Sequence, residues 1–232
     1  MKKKLVVLTG AGMSKESGID TFRGSGGLWG KYPVEQVATP EGFHRDPALV
    51  IDFYNERRKE LEQVEPNKGH KLLAQMEQDF EITIITQNVD NLHERAGSSH
   101  VIHLHGILTK GCSSQNPNDP RFIQELEPGV AMKLGDKAGD GSQLRPFIVW
   151  FGEAVPEIET AVPYVREADL FVIIGTSMNV YPAAGLMNFL SGGVPTYLID
   201  PMQVNIADMS GITHIQKGAS KGVEELWAQI KK

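Results

Sequence analysis

The chain of 232 residues has a single cysteine, Cys112, which excludes an intramolecular disulfide framework. No apolar run approaches the roughly 20 residues that a membrane span requires. Basic Met1–Lys4 leads into apolar Leu5–Leu8, but Thr9-Gly10 ends that run short of a signal-peptide core, and no small-residue cleavage site of the usual kind follows. The expectation is cytoplasmic residence with no membrane partner. An excess of basic charge is also lacking. Lys and Arg number 23 against 29 Asp and Glu, a net charge of −6, which argues against nucleic acid as the main partner and is compatible with basic, lysine-bearing peptides. Disorder is excluded by the 41% hydrophobic content, which allows one large α/β domain and a smaller inserted one.

What is present is a succession of short β-branched runs. Leu5–Thr9 ends in Gly10-Ala11-Gly12, which reads as a buried parallel strand entering a glycine turn and then a helix. Similar runs recur at Ile82–Thr86, Phe147–Phe151, Leu170–Ile174 and Thr196–Ile199. Helices are expected over Ala161–Glu167, Ala183–Leu190 and Gly222–Ile230. This alternation implies a Rossmann-like, doubly wound parallel sheet of the α/β class. Two stretches break the rhythm. The first, Trp29–Glu77, carries helical pattern at Pro47–Val64 and Lys68–Met76 without a strand; the second, Thr109–Gln143, is rich in Gly, Pro, Asn and Asp, with one apolar stretch around Phe122–Leu126. The expected division is therefore a nucleotide-binding domain of residues 1–28, 78–108 and 144–232, and a small domain of 29–77 and 109–143.

Three motifs suggest chemistry. Glycines in Gly10-Ala11-Gly12-Met13-Ser14 let backbone N–H groups approach a pyrophosphate, although Lys15 stands where a third glycine would complete the usual fingerprint, and a tight structural turn fits nearly as well. The following stretch, Ser17–Gly24 and Gly26–Trp29, has the composition of a loop over a ligand. Thr86-Gln87-Asn88-Val89-Asp90-Asn91-Leu92-His93 closes a strand, where polar groups face the crevice of an α/β sheet. Its amides and carboxylate suit a carboxamide and a ribose; a helix N-cap at Asp90 or Asn91 explains them as well. His103-Leu104-His105-Gly106 reads as a strand with both histidines on one face, a general base, a metal pair or structural histidines.

Together with Ser17-Gly18-Ile19-Asp20-Thr21-Phe22-Arg23-Gly24, Leu144-Arg145-Pro146-Phe147-Ile148-Val149-Trp150-Phe151-Gly152-Glu153 and Gly175-Thr176-Ser177-Met178-Asn179-Val180-Tyr181-Pro182-Ala183-Ala184, these motifs resemble the sirtuins and run in that family's order. The resemblance implies a Rossmann domain and a small domain with NAD and an acyl-lysine protein or peptide meeting between them. Gly10, Ala11 and Gly12 would face the pyrophosphate, Phe22 and Arg23 the nicotinamide end, Gln87 and Asn88 the ribose, and Asp90 the carboxamide. Gly175, Thr176 and Ser177 would line the adenosine side, with Asp200 at its ribose and Gly218-Ala219 near the adenine. Backbone groups of Phe151, Gly152 and Glu153, and of Val180-Tyr181, would clamp the peptide by strand addition. His105 would be the general base and Asn88 its companion in catalysis. The products would be free lysine, nicotinamide and 2′-O-acyl-ADP-ribose.

Tyr54 and Arg57 lie three apart in the Pro47–Val64 helix and share a face. An arginine fork beside a phenol suits a carboxylate, and the same face reads equally as solvated, among Glu56, Arg58, Lys59 and Glu60. The Tyr-x-x-Arg spacing, with Thr21 and Ala38-Thr39-Pro40-Glu41-Gly42-Phe43, resembles the bacterial and mitochondrial class III-like branch, which removes succinyl and malonyl groups. The chain departs from the family at the structural zinc, carried elsewhere by two Cys-x-x-Cys pairs. Here Ser113, Ser114 and Gln115 follow Cys112, residues 132–143 contain no cysteine, and no histidine falls between His105 and His214. A zinc site needs four N, S or O ligands, and only carboxylates such as Asp136 and Asp140 accompany Cys112. No zinc is expected; packing through Phe122, Ile123, Leu126 and Met132 would hold the loop, with Cys112 an inert thiol. Competing readings are a non-catalytic NAD or ADP-ribose sensor, an ADP-ribosyltransferase or NAD glycohydrolase, and, further off, a Rossmann dehydrogenase.

Overall fold

Residues 2–20, 32–176, 178, 180–203 and 211–231 are described by a computed structural model. At its centre lies β1 (Lys4–Thr9), whose β-branched alternation serves two buried faces at once. On one face Leu5 and Val7 pack with Ile82, Ile84, Leu170 and Val172 under helices carrying Leu73, Met76, Val223 and Leu226. On the other, Val6 and Leu8 pack with Ile85, Phe171 and Ile173 against Ala161, Val165 and Leu186. A strand buried on both sides reads as a continuous apolar run, which is why these segments were legible.

β1 is followed by α1 (Ala11–Ser14), then α2 (Val34–Val37), α3 (Pro40–Arg45), α4 (Pro47–Glu62) and α5 (Lys68–Met76). Asp46 caps α4, accepting from Leu49 N–H, with Pro47 in its first turn. Asn67 caps α5 by accepting from Gly69 and His70 N–H groups. Next come β2 (Glu81–Thr86), α6 (Leu92–Ala96), β3 (Val101–His103), β4 (Gly106–Ser113), β5 (Gln124–Glu125) and β6 (Leu144–Ile148). The chain closes with α7 (Glu157–Arg166), β7 (Leu170–Ile174), a 3-10 turn over Ala183–Phe189, β8 (Thr196–Ile199), β9 (Ile212–Ile215) and α8 (Ala219–Ile230).

Among the described residues six strands form one parallel sheet in the order β3-β2-β1-β7-β8-β9. The chain winds outward from β1 to β3 on one side and from β7 to β9 on the other. The point of reversal lies between β1 and β7, where doubly wound sheets open a crevice at the carboxyl ends of their strands. Among the described residues no helix is long and apolar enough to cross a membrane.

Several expectations are corrected. Phe147–Phe151 is not a strand of the parallel sheet: β6 spans Leu144–Ile148 and pairs antiparallel with β4, in a second sheet ordered β5-β4-β6. A short apolar run does not disclose which sheet will claim it. β4 and β9 were not foreseen, because β4 has small and polar residues within it and β9, at the sheet edge, has polar Thr213 and His214 between its two isoleucines. The expected helix at Ala183–Leu190 is a 3-10 turn. α5 packs Leu73 and Met76 into the core of the large sheet, whereas α2 and α4 form a separate core with Leu108, Ile148 and Trp150.

The 109–143 segment is held by two devices. Met132, Ala138 and Leu144 pack with Ile51, joined by Leu126 and Phe43. The second device is polar. Ser113 Oγ and Asn116 Nδ2 donate to Asp140 Oδ2 at 2.6 and 2.9 Å, and Ser142 Oγ donates to Asp140 Oδ1 at 2.7 Å. These donors hold the Asp140 carboxyl far below its ordinary range, hydrogen bonds from Ser113 and Asn116 being the largest causes. A depressed folded-state pKa stabilises above the unfolded value, about 3.9 for Asp, and the contribution is lost as pH falls through the folded value. Asp140→Ala is expected to lower the Tm at neutral pH and to speed proteolysis within 113–142; the difference between variant and parent should shrink as the pH falls below about 4. Equal melting temperatures at pH 7 would show that packing alone holds the segment.

Candidate functional site

The crevice at the β1–β7 reversal opens into a cavity of about 880 Å³, lined by residues of the Gly10 turn, the Gln87 loop, His105, the Trp150 segment and the ends of β7 and β8. That volume falls in the range of small-molecule and cofactor sites. Its floor is a backbone-to-backbone contact. Gly10 N–H donates to Ile174 O at 3.0 Å and Gly12 N–H to Gly175 O at 2.8 Å. A Cβ on Gly12 would lie 2.6 Å from Gly175 Cα, and one on Gly175 would lie 2.5 Å from Met13 N. Gly175 also has φ +61°, the left-handed region. Since α1 is a single turn, a helix dipole contributes little here, and the Gly10, Gly12 and Met13 N–H groups are spent within the turn, so what the glycines offer a ligand is close approach to the backbone.

Beside the glycines stands a chain of fixed polar groups. Asn88 Nδ2 donates to Gly10 O and to Ser14 Oγ, each at 3.1 Å. Ser14 Oγ in turn donates to Asp90 Oδ2 at 2.8 Å. Asn88 N–H donates to Thr86 Oγ1 at 3.0 Å. Gln87 Nε2 donates to Thr176 Oγ1 at 3.0 Å, linking the ends of β2 and β7. Asp90 is 6% exposed, does not line the cavity, and has its pKa raised by burial against the opposing bonds from Ser14 and Leu92. It sits behind Asn88 through Ser14, two hydrogen bonds away.

The two histidines do not share a strand face. β3 stops at His103, and Leu104-His105 form a turn into Gly106, whose φ of +77° accompanies the close approach of Phe147 O. His103 Nε2 pairs with Glu94 at 2.6 Å. His105 lines the cavity, with Nδ1 3.1 Å from Gln87 O. A backbone carbonyl only accepts, so Nδ1 carries the proton and Nε2 keeps its lone pair. Burial lowers the His105 pKa, partly countered by that hydrogen bond, so the ring is neutral near pH 7.

At the opposite wall, Tyr54 lines the cavity and Trp150 Nε1–H donates to its hydroxyl at 3.1 Å. Arg57 does not line the cavity. Its Nη2 pairs with Glu60 at 2.5 Å and its guanidinium lies 5.3 Å from the Phe53 ring centroid. Among the described residues Nε and Nη1 are buried without a hydrogen-bond partner. Phe151, Gly152 and Glu153 border the cavity as a turn. Phe151 N–H donates to Ala38 O and Glu153 N–H to Trp150 O, each at 3.0 Å, so backbone pairing with a peptide would fall to other groups of the segment. Val180 and Asp200 also line the cavity, as does Gly218; Ala219 is buried beneath it in the core. Phe22, Arg23 and Ser177 lie outside the described residues. Sequence reasoning missed Ser14 as a hub and Trp150 as a donor, although both stood inside the quoted motifs.

The residues do not fit the zinc centre that the resemblance implies. The Cys112 thiol is buried against Pro146 O and pushed up to about 11 by burial, so it is no thiolate. The Asp140 carboxylate is occupied by Ser113, Asn116 and Ser142. Among the described residues no group of three or more His, Cys, Asp or Glu gathers to hold a metal. The glycine floor, by contrast, is a cradle that side chains would fill, and it fits a dinucleotide. Overpacking of this kind costs about 1–3 kcal/mol, so Gly12→Ala is expected to weaken NAD binding by roughly tenfold or more in titration calorimetry. Unchanged affinity would show that the cradle does not touch the ligand.

Residues 10–182 match the Sir2 family. An NAD-dependent protein deacylase from Bacteroides thetaiotaomicron is 69% identical over 97% of this chain and 96% of its own length. Another from Helicobacter pylori is 46% identical over 98% of this chain and 97% of its own. Among solved structures, a Sir2 homolog–NAD complex superposes with TM-score 0.86 at 37% identity, covering 99% of this chain and 90% of that one. A Sir2 protein with a deacetylated p53 peptide and 3′-O-acetyl-ADP-ribose gives TM-score 0.80 at 29% identity, covering 99% of this chain and 95% of that one. With the family's motifs set around one crevice, and likeness over nearly the whole length, this chain belongs to the Sir2 family.

Proposed function

We propose that the chain is an NAD-dependent protein-lysine deacylase that favours acidic acyl groups such as succinyl and malonyl, releasing nicotinamide and 2′-O-acyl-ADP-ribose. The observation that carries the reading is one cavity lined by a glycine cradle, by a His105 whose Nδ1 is engaged and whose Nε2 has no partner among the described residues, and by Tyr54. The relatives named as deacylases, and the homologues solved with NAD or a deacetylated peptide, support it.

NAD supplies a ribose carbon from which nicotinamide can be displaced by an acyl oxygen. Gly10, Ala11, Gly12, Gly175 and Thr176 would receive its phosphates and adenosine side, with Asp200 near the outer ribose. Gln87 and Asn88 would hold the inner ribose, their amides held by Thr176 and by Gly10 and Ser14. Asp90 would serve the carboxamide end directly or through Ser14. His105 would take a proton from a ribose hydroxyl onto Nε2, with Gln87 O stabilising the imidazolium through Nδ1–H. Residues of the Trp150 segment and Val180 would border the acyl-lysine.

The acidic preference rests on Tyr54 and on Arg57 one turn along the same helix. Arg57 does not line the cavity, but among the described residues two of its buried nitrogens have no partner, and a carboxylate satisfies such donors well. Glu60 already holds the third nitrogen, so the carboxylate would share the guanidinium with it.

Matched acetyl-, succinyl- and malonyl-lysine peptides, followed by mass spectrometry with and without NAD, test this. Acyl loss should require NAD, and His105→Ala should lower turnover by about a hundred- to ten-thousand-fold with NAD affinity little changed. Arg57→Ala should lower kcat/KM for the succinyl peptide far more than for the acetyl peptide. NAD binding without deacylation would instead support a sensor, and free or protein-bound ADP-ribose would support a glycohydrolase or transferase.

The pH dependence follows from His105. Because its pKa is lowered, the base form persists below the ordinary value of about 6.5, and activity is lost only as pH falls through the depressed value. The acidic limb of kcat/KM for the acetyl peptide should therefore lie below about 6.5. A limb at or above that value would assign the titration to another group.

A further inference from the structure

Arg145 is only 3% exposed and is held on every side. Its Nη1 and Nη2 donate to Glu153 Oε1 and Oε2 at 2.7 and 3.0 Å, and Nη2 donates to Ile148 O at 2.6 Å. Its guanidinium carbon lies 3.4 Å from the Trp150 ring centroid, stacked on the indole. Glu153 Oε2 also accepts the Trp150 backbone N–H at 2.7 Å. Both the backbone and the ring of Trp150 are thus clamped by one ion pair. Buried ion pairs add little net stability over apolar replacements, so its role here is better sought in geometry.

The clamped indole has one polar atom, and it is directed at Tyr54: Nε1–H donates to the phenol oxygen at 3.1 Å. The donation has a directional consequence. With Trp150 occupying a lone pair, the hydroxyl hydrogen must point away from the indole, and among the described residues Tyr54 donates to no acceptor. Tyr54 is 5% exposed and is among the residues that line the cavity. Burial also raises the Tyr54 pKa, so the phenol stays protonated.

We propose that Trp150, clamped by the Arg145–Glu153 pair, is a specificity-determining positioning residue: its indole N–H turns the Tyr54 hydrogen into the cavity, as a donor to the carboxylate of an acidic acyl group. The proposal deepens the acidic-acyl reading and rests on it. It also assigns Glu153 to the clamp, since its two oxygens are occupied by Arg145 and the Trp150 N–H and are not available to pair with a substrate cation.

A double-mutant cycle on selectivity tests it, using kcat/KM for succinyl- over acetyl-lysine peptides in the parent, Trp150→Phe, Tyr54→Phe and the double variant. Trp150→Phe keeps an aromatic ring on the Arg145 plane and removes the N–H. The expected result is a drop of about tenfold in the ratio, the worth of one hydrogen bond. Tyr54→Phe should give the same drop, and the double variant none beyond either single, because the two act as one unit. A purely structural role for Trp150 would lower both substrates together and leave the ratio unchanged, overturning the proposal. Equal, additive losses in the cycle would overturn it too. If Trp150→Phe does not fold, benzothienylalanine at position 150 keeps the bicyclic shape without the N–H, and the same ratio decides. A parent enzyme with no preference for succinyl over acetyl removes the acidic-acyl reading and the proposal with it. A parent preference that survives loss of the indole N–H removes the proposal alone.

Discussion

The contact on which the site depends is the one between two backbones at the centre of the sheet. Gly10 and Gly12, leaving β1, lie against Gly175 and Thr176, leaving β7, at distances no Cβ would permit. Strands are spaced by their hydrogen bonds, and at a reversal of strand order the connections leaving the two adjacent parallel strands diverge to opposite faces. Here glycine lets them stay in register for one further step, through Gly12 N–H to Gly175 O. The result is a floor of peptide groups at the reversal of strand order, with no side chain above the glycines, although the Gly10, Gly12 and Gly175 N–H groups are themselves donated to Ile174 O, Gly175 O and Ile199 O. The usual third glycine of the dinucleotide fingerprint is absent, with Lys15 in its place, and the partner glycine is supplied from β7.

That floor also explains the polar chain beside it. Gly10 O accepts from Asn88 Nδ2, and Asn88 shares Ser14 with Asp90. A side chain at residue 10 would push the turn away and leave the amide of Asn88 short of an acceptor. Thr86 Oγ1 fixes the Asn88 backbone from behind, and accepts from Thr9 Oγ1, itself beside the buried His93. The amides facing the cavity are thus held before any ligand arrives, and orientation of this kind is much of what a site contributes to a displacement reaction.

What was legible in the sequence follows from what each signal depends on. Runs such as Leu5–Thr9 and Leu170–Ile174 are buried on both faces, so composition alone declares them. His105 was legible as a candidate because few residues titrate near neutrality, but the strand expected to carry it beside His103 ends at His103: Leu104-His105 form a turn that runs into the positive φ of Gly106, and nothing local announces that geometry. Phe147–Phe151 misled because strand-forming residues are the same in a parallel and an antiparallel setting. Arg57 illustrates a different limit. Its helix and face were readable, but its ion pair with Glu60 and its position off the cavity wall depend on packing between α4 and the rest of the chain. The clamp of Arg145 on Trp150 lay within a motif already singled out, and spacing has no means of saying that a cation will stack on an indole.

The β4–β6 hairpin bears on the same wall of the cavity. β4 and β6 carry Cys112 and Arg145 opposite one another in register, so this hairpin presents Arg145 to Trp150. In this chain Ser113, the next residue on β4, ties that hairpin to Asp140, and Leu144 on β6 anchors it to the Ile51 and Met132 core. Hydrogen bonds to the half-buried Asp140 carboxylate are individually modest. They are joined to an apolar core. The registration of Arg145, and through Trp150 the hydroxyl of Tyr54, therefore depends on side chains on both sides of a loop whose composition suggested little structure at all.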